Sequence, residues 1–341
     1  MSPDELLQGA GIYQWDAISD TFDGCDIFIG NGFSINMCQR LSYRELFDLF
    51  RKKCIPELTE LFKACGTTNF ELIMEVLNNA RRVNELLKID NSKVEPLIDS
   101  LRSSLIQTIV DTHPGYREIS PEIFRSLSVE FNAFNNIITT NYDVFLYKII
   151  LAFNDLVERG LVSGKLYQDS FWEEIDEHKL GVGVGYEDRR NIFYLHGSLF
   201  IFNRPRTYKY RKGTESDEYI RILRQEIEHD NIPLFVSEGN SDDKLRTIQD
   251  NYYLSTCANY LRRRKDDLVV YGSSFSPPDR HIVGWINESK IKSIAYSIYI
   301  GNKTLPQLKD EISRINNQFG NISIAFFDSS SLFKFHPYYR F

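Results

Sequence analysis

Residues 25–34, CDIFIGNGFS, set a glycine-framed turn directly behind an apolar run, and no other stretch narrows the folds open to this chain as far. Residues 26–30 read as a short buried strand, bounded by Asp23-Gly24 before it and by the Gly30-Asn31-Gly32 turn after it. A strand that ends in Gly-x-Gly, with Ser34 two residues further on, lets backbone N–H groups approach a phosphate with no Cβ in the way. The same residues also make a plain tight turn. What raises the reading above that is three further fragments of the same kind, in order along the chain: NIITTNYD, FYLHGS and VVYGSS.

The remaining pattern alternates. After the first turn, helical apolar spacing runs through 43–50 (YRELFDLF), 70–87 and 94–110, and His113-Pro114-Gly115 stops it. So long a helical stretch exceeds one crossover between neighbouring strands and predicts a helical insertion over about 40–130. Strand signals then return at 136–140, 192–195, 233–236, 268–271, 294–300 and 322–327. Most are short and wholly apolar, as strands covered on both faces are. Helical segments at 143–156, 242–263, 279–288 and 305–317 separate several of them. Residues 158–190 and the stretch 204–230, which contains the basic loop 204–212, read as surface excursions. The fold class expected is α/β, an open, doubly wound parallel sheet of Rossmann-like form, as a single domain over 1–341.

Composition bounds the function classes. A formal net charge of −7 argues against nucleic acid as a direct ligand. The five cysteines are scattered with no C-x-x-C pair, which predicts reduced, mostly buried thiols, a cytoplasmic setting and no zinc ribbon. MSPDELLQGAGIYQWD has neither the basic nor the apolar region of a secretory leader, and no apolar run reaches the length of a membrane span. The 24 Phe and 19 Tyr suggest thick cores and a stacking surface for a flat ligand.

In open parallel sheets ligands bind at the carboxyl ends of the strands. Each sharp polar fragment here follows such an end: Gly30, Asn31, Gly32 and Ser34; Thr139, Asn141 and Asp143; His196 and Gly197; Gly272, Ser273 and Ser274; Gly301 and Asn302; and Asp328. Six strand ends of this kind are expected to converge on one crevice.

The ordered set GNGFS, TTNYD, LHGS and GSS resembles the sirtuin-type NAD-binding fold, and most closely the divergent bacterial sirtuin-like domains that cleave NAD as effectors of phage defence. The resemblance spans residues 26 to 328. It departs from sirtuins in having Asn31 where Ala is usual, in lacking the G-I-P-D-F-R run after Ser34, and in lacking the zinc cysteines after the His-Gly pair. Those losses weigh against protein deacylation more than against NAD binding. The resemblance implies a cytoplasmic NAD hydrolase that forms nicotinamide and ADP-ribose, uses NAD as substrate and needs no metal. It also implies a homo-oligomer or a partner defence protein as trigger.

The chemistry of the residues agrees. Cleaving the nicotinamide–ribose bond passes through an oxocarbenium-like state, which needs the ribose fixed and a water or hydroxyl poised on one face. Asn141 is suited to hold a ribose hydroxyl or water, with Asp143 as its acidic partner, and His196 to accept a proton. The Gly30–Gly32 and Gly272–Ser274 turns would cradle the pyrophosphate, Ser34 adding a hydroxyl and Thr139 lying alongside. Asn302 and Asp328, with Gly301, fall at the adenosine end. Plainer readings stand beside these. Asn141 and Asp143 fit the N-cap of the helix that follows, and His196 fits a structural histidine before a turn. The histidines at 113, 178, 229, 281 and 336 read as surface or capping groups, KLGVGVGY (179–186) as a flexible loop, and RPRTYKYRK (204–212) as a solvated loop or protein contact. Two alternatives to the hydrolase remain: a catalytically silent module that binds NAD or ADP-ribose for a partner, and a deacylase or ADP-ribosyltransferase.

Overall fold

Every side chain of Asp26–Ile29 and of Leu268–Tyr271 is buried, so these strands are covered on both faces, as their unbroken apolar runs require of a parallel sheet. The computed structural model describes residues 3–114, 119–168, 189–203, 207–209, 225–226, 233–236, 240–333 and 335. Strands β1 (Ile12–Tyr13), β2 (Asp26–Ile29), β3 (Ile137–Thr139), β4 (Leu166–Gln168), β5 (Arg189–Tyr194), β9 (Leu268–Tyr271), β10 (Ser293–Ile298) and β11 (Ser323–Asp328) form one sheet in the order β1-β11-β10-β9-β2-β3-β5-β4. All its neighbouring pairs are parallel. Without the short edge strands β1 and β4, the order from β5 to β11 is 3-2-1-4-5-6 in chain sequence, the Rossmann arrangement. The chain therefore leaves β2 in one direction, returns to β9 on its other side, and creates a crevice between those two strands.

The helical insertion lies between β2 and β3. After α2 (Asn31–Met37) come α3 (Tyr43–Phe50), α4 (Pro56–Ala64), α5 (Phe70–Leu87), α6 (Glu95–Thr112) and α7 (Pro121–Glu130). Local chemistry sets their ends. Ser42 accepts from Glu45 N–H, Asn69 from Glu71 and Leu72 N–H, and Ser120 from Glu122 N–H, while Lys88 closes α5 in the left-handed region. Rings of Phe47, Phe50, Phe62 and Phe70 pack the insertion, and Phe33, Phe131, Tyr271 and Phe333 pack α2 against the sheet. The aromatic content is thus largely core.

Four expectations need correction. The strand at 233–236 is β8 (Pro233–Phe235), and it lies outside the parallel sheet, in an antiparallel one of order β7-β6-β8 with β6 (Gly197–Asn203) and β7 (Thr207–Lys209). Gly197, at φ +75°, turns the chain straight from β5 into β6, and a Cβ there would lie 2.0 Å from Leu234 O. The helix expected over 242–263 is two, α9 (Ser241–Asp250) and α10 (Tyr252–Arg262), because the Asn251 side chain caps the second through Leu254 N–H. The excursion 158–190 contains β4, an edge strand hidden by its brevity, and the basic loop contributes β7. His113 and His281 are buried rather than superficial. The KLGVGVGY loop, most of 204–230 and the histidines at 178, 229 and 336 lie outside the described residues. Among the described residues no helix is long and apolar enough to cross a membrane. Cys25, Cys38 and Cys257 are buried free thiols, Cys54 is half-buried and Cys65 exposed.

Candidate functional site

Strands β2 and β9 end side by side, and glycine follows each. Gly30 N–H donates to Tyr271 O (2.8 Å) and Gly32 N–H to Gly272 O (2.7 Å). Gly272 sits at φ +68°, whereas Gly30 is extended and Asn31 opens the first turn of α2. A Cβ on Gly30 or on Gly32 would come within 2.7 Å of the Gly272–Ser273 backbone. These glycines let two strand ends pack backbone on backbone.

A cavity of about 130 Å³, room for several waters, opens beside this junction. Of the residues singled out from the sequence it brings together Asn31, Asn141, His196, Gly272, Ser273 and Ser274. The insertion supplies a wall of Leu46, Phe70, Glu71, Met74, Leu101 and Leu105, and Asp279 lines the other side. Gly30, Gly32, Ser34, Thr139 and Asp143 stand behind this lining rather than in it. Gly301 and Asn302 are exposed, and Asp328 accepts from Ser330 N–H (3.0 Å) and Oγ–H (2.7 Å); none of these three lines the cavity.

The residues behind the lining orient those in front. Thr139 Oγ1 donates to Ile29 O (2.9 Å) and accepts from Asn141 N–H (3.0 Å). Asn141 Nδ2 donates to Gly30 O (3.0 Å) and to Ser34 Oγ (2.8 Å), and the Ser34 hydroxyl in turn donates to Asp143. Because Gly30 O only accepts, the amide orientation of Asn141 is fixed. Its Oδ1 is left buried with no partner. Asp143 also accepts from Phe145 N–H (2.9 Å) at the start of α8 (Phe145–Glu158), so the capping role belongs to Asp143 and not to Asn141. Burial raises the Asp143 carboxyl above its ordinary value, against the lowering by the Ser34 hydroxyl.

His196 is buried, with its Nε2 3.2 Å from Nε2 of His281. Burial first, then the charge of Lys244 and the neighbouring His281, holds its pKa well below the ordinary histidine range, so it is neutral at pH 7. Burial also takes His281 down to about 4. Ser241 Oγ lies 3.1 Å from His281 Nδ1 and accepts from His281 N–H (2.8 Å). Lys244, fully buried, donates to Glu71 (2.7 Å) and Asp279 (3.0 Å), tying α5, α9 and the turn before α11 (Arg280–Glu288) around the cavity. Burial alone would discharge it, yet the two carboxylates outweigh that and raise its pKa.

Sequence reasoning missed Glu71, Lys244, Asp279 and His281. Glu71 follows the Asn69 cap and Lys244 sits in a charged run, so each looks like a solvated helix residue; the approach of the insertion to α9 buries Lys244 and half-buries Glu71. His281 carried a faint signal, one histidine among the apolar residues of HIVGW. Among the described residues no group of three or more His, Cys, Asp or Glu is placed to hold a metal ion.

The family model described as a domain of unknown function (DUF4917) matches residues 27–333, from β2 through β11, and the chain belongs to that family. Comparison with curated proteins gave no match.

Proposed function

We propose that this member of the DUF4917 family is an NAD glycohydrolase that releases nicotinamide and leaves ADP-ribose. One observation carries the reading: Asn141 and His196, which follow β3 and β5, line one cavity with Gly272, Ser273 and Ser274, and the buried Oδ1 of Asn141 lacks a partner. Ligands of open parallel sheets bind where the strand order reverses. A buried acceptor with no protein partner is a group that a bound hydroxyl or water satisfies.

The site suits an oxocarbenium-like reaction, in which positioning matters more than a strong nucleophile. Asn141 is held through Nδ2 by Gly30 and Ser34, so its Oδ1 is already oriented for a ribose hydroxyl or water. Neutral His196 supplies a second hydrogen bond. Gly272–Ser274 would face the pyrophosphate, with the adenosine running over the ends of β10 and β11 towards Asn302 and Asp328. The sirtuin-like order of GNGFS, TTNYD, LHGS and GSS supports this assignment and extends it to a phage-defence effector. Because the helical insertion forms one wall of the cavity, a partner protein or an oligomer acting on α5 or α6 would control access.

One observation favours the silent-module alternative: the Asp143 carboxylate is engaged by Ser34 and Phe145, and those of Glu71 and Asp279 by Lys244. Incubation of the purified protein with NAD, followed by chromatography of nicotinamide and ADP-ribose, separates the two. Release by the wild type, cut at least about a hundredfold in Asn141→Ala and His196→Ala, supports the hydrolase. Stabilisation by NAD with no nicotinamide supports the silent module. Neither turnover nor stabilisation overturns both.

A further inference from the structure

We propose that Ser241 and His281 fix the direction of the hydrogen bond at His196, so that His196 holds its ring proton on Nδ1 and meets the ligand as a donor, while Asn141 Oδ1 is the acceptor of the pair. The inference rests on the NAD reading only for the identity of the ligand.

Ser241 Oγ already accepts from His281 N–H at 2.8 Å and lies 3.1 Å from His281 Nδ1. A hydroxyl has one hydrogen to give, and His281 Nδ1 is the acceptor within reach of it among the described residues. If Nδ1 carried the proton instead, Ser241 Oγ would accept twice and leave its own hydrogen unpaired at a buried position. An unmet buried donor is costly enough to decide between two tautomers. The Pro278 carbonyl is the other acceptor that a ring N–H of His281 faces; with Ser241 donating to Nδ1, the ring proton of neutral His281 resides on Nε2.

That proton faces His196. The two Nε2 atoms are 3.2 Å apart and both rings are neutral, so His281 donates and His196 Nε2 accepts. The single proton of His196 is then on Nδ1. Its lone pair is occupied, so the proton-accepting role expected from the sequence gives way to a donor role. His281 is a positioning residue that acts through His196.

Two measurements test this. The first uses the full chain labelled with 15N-histidine and reads two-bond 1H–15N correlations, which distinguish the tautomers; with six histidines the spectrum is tractable, and His196→Gln identifies the signals. The expected result is His196 as the Nδ1–H form and His281 as the Nε2–H form, with Ser241→Ala releasing His281 from that form. His196 found as the Nε2–H form overturns the proposal. This arm needs no NAD, so it stands or falls apart from the glycohydrolase reading. The second measures nicotinamide release by His196→Asn, which keeps an N–H donor but cannot take up a proton. It should retain at least about a tenth of wild-type activity, where His196→Ala loses about a hundredfold. An Asn variant as inactive as Ala overturns the donor role.

Discussion

The strand Asp26–Ile29 has a buried polar cluster at each end, and the two differ in completeness. At its amino end, Asp26 accepts from Asn136 N–H (3.1 Å) and Nδ2 (2.9 Å) and from the Tyr260 hydroxyl (2.6 Å), and it pairs with Arg264 Nε (2.9 Å). Asn136 Oδ1 in turn accepts from Asn191 N–H (2.8 Å). Every group there is answered by protein. At the carboxyl end Asn141, Ser34 and Asp143 are almost as tightly linked, yet Asn141 Oδ1 has no partner, and Asn141 lines a cavity. Asp26 and Tyr260 are as buried as Asn141, Ser34 and Asp143, while Asn136, Asn191 and Arg264 are half-buried. The unanswered acceptor is what separates the two clusters, and on the proposed reading it is the group a ligand meets.

Breaking the closed cluster should have the largest effect. Asp26→Ala leaves the buried Tyr260 hydroxyl without its acceptor and Arg264 with only Asp266 as a partner, and loss of one side of such a pair costs about 3 kcal/mol. Urea unfolding measures it. A loss under about 1 kcal/mol would mean that the amino-end cluster is not what secures β2.

Acid should expose a cost at the other end. His281 has a folded pKa of about 4, below the ordinary value of 6.5, so the unfolded chain binds the extra proton first as pH falls. Its contribution to stability is therefore intact above pH 6.5, declines as pH falls through that window, and reaches about 3 kcal/mol of loss at pH 4. His281→Gln should flatten that part of the stability–pH curve. An unchanged slope would mean that His281 is not buried as a neutral ring.

A smaller effect belongs to the junction between the two strand ends. Gly32→Ala places a methyl within 2.7 Å of Gly272 Cα, and overpacking of this kind costs about 1–3 kcal/mol. Thermal unfolding measures the loss, and a variant as stable as wild type would show that the two turns have slack between them.

What could be read in the sequence, and what could not, follows the same division. The buried strands β2 and β9, the partly buried strand β11 and the helices α3 and α5 were legible because apolar spacing and cap residues are local properties. So was the placement of Asn141 and His196 just after β3 and β5, since polar residues after apolar strands mark the carboxyl end of a parallel sheet. The antiparallel β6–β8 pairing was not, because it depends on a positive φ at Gly197 and on a partner far along the chain. Nor was His281, which meets His196 only when α11 packs beside the cavity. The residues that hold Asn141 in place, Ser34 and Asp143, were legible as polar and near the site, but their roles as its support are settled only by the hydrogen bonds.

The contrast between the two clusters is tested most directly by measuring unfolding and nicotinamide release together in Asn141→Ala and Asp26→Asn. Asn141→Ala should lose at least about a hundredfold in NAD cleavage, with an unfolding midpoint lowered less than in Asp26→Asn, since Gly30 O and Ser34 Oγ lose one donor each. Asp26→Asn should show the reverse, a lowered midpoint with cleavage retained below it. If activity and stability fall in step in both variants, or if Asn141→Ala cleaves NAD at the wild-type rate, the carboxyl-end cluster is structural and the assignment of the site is wrong.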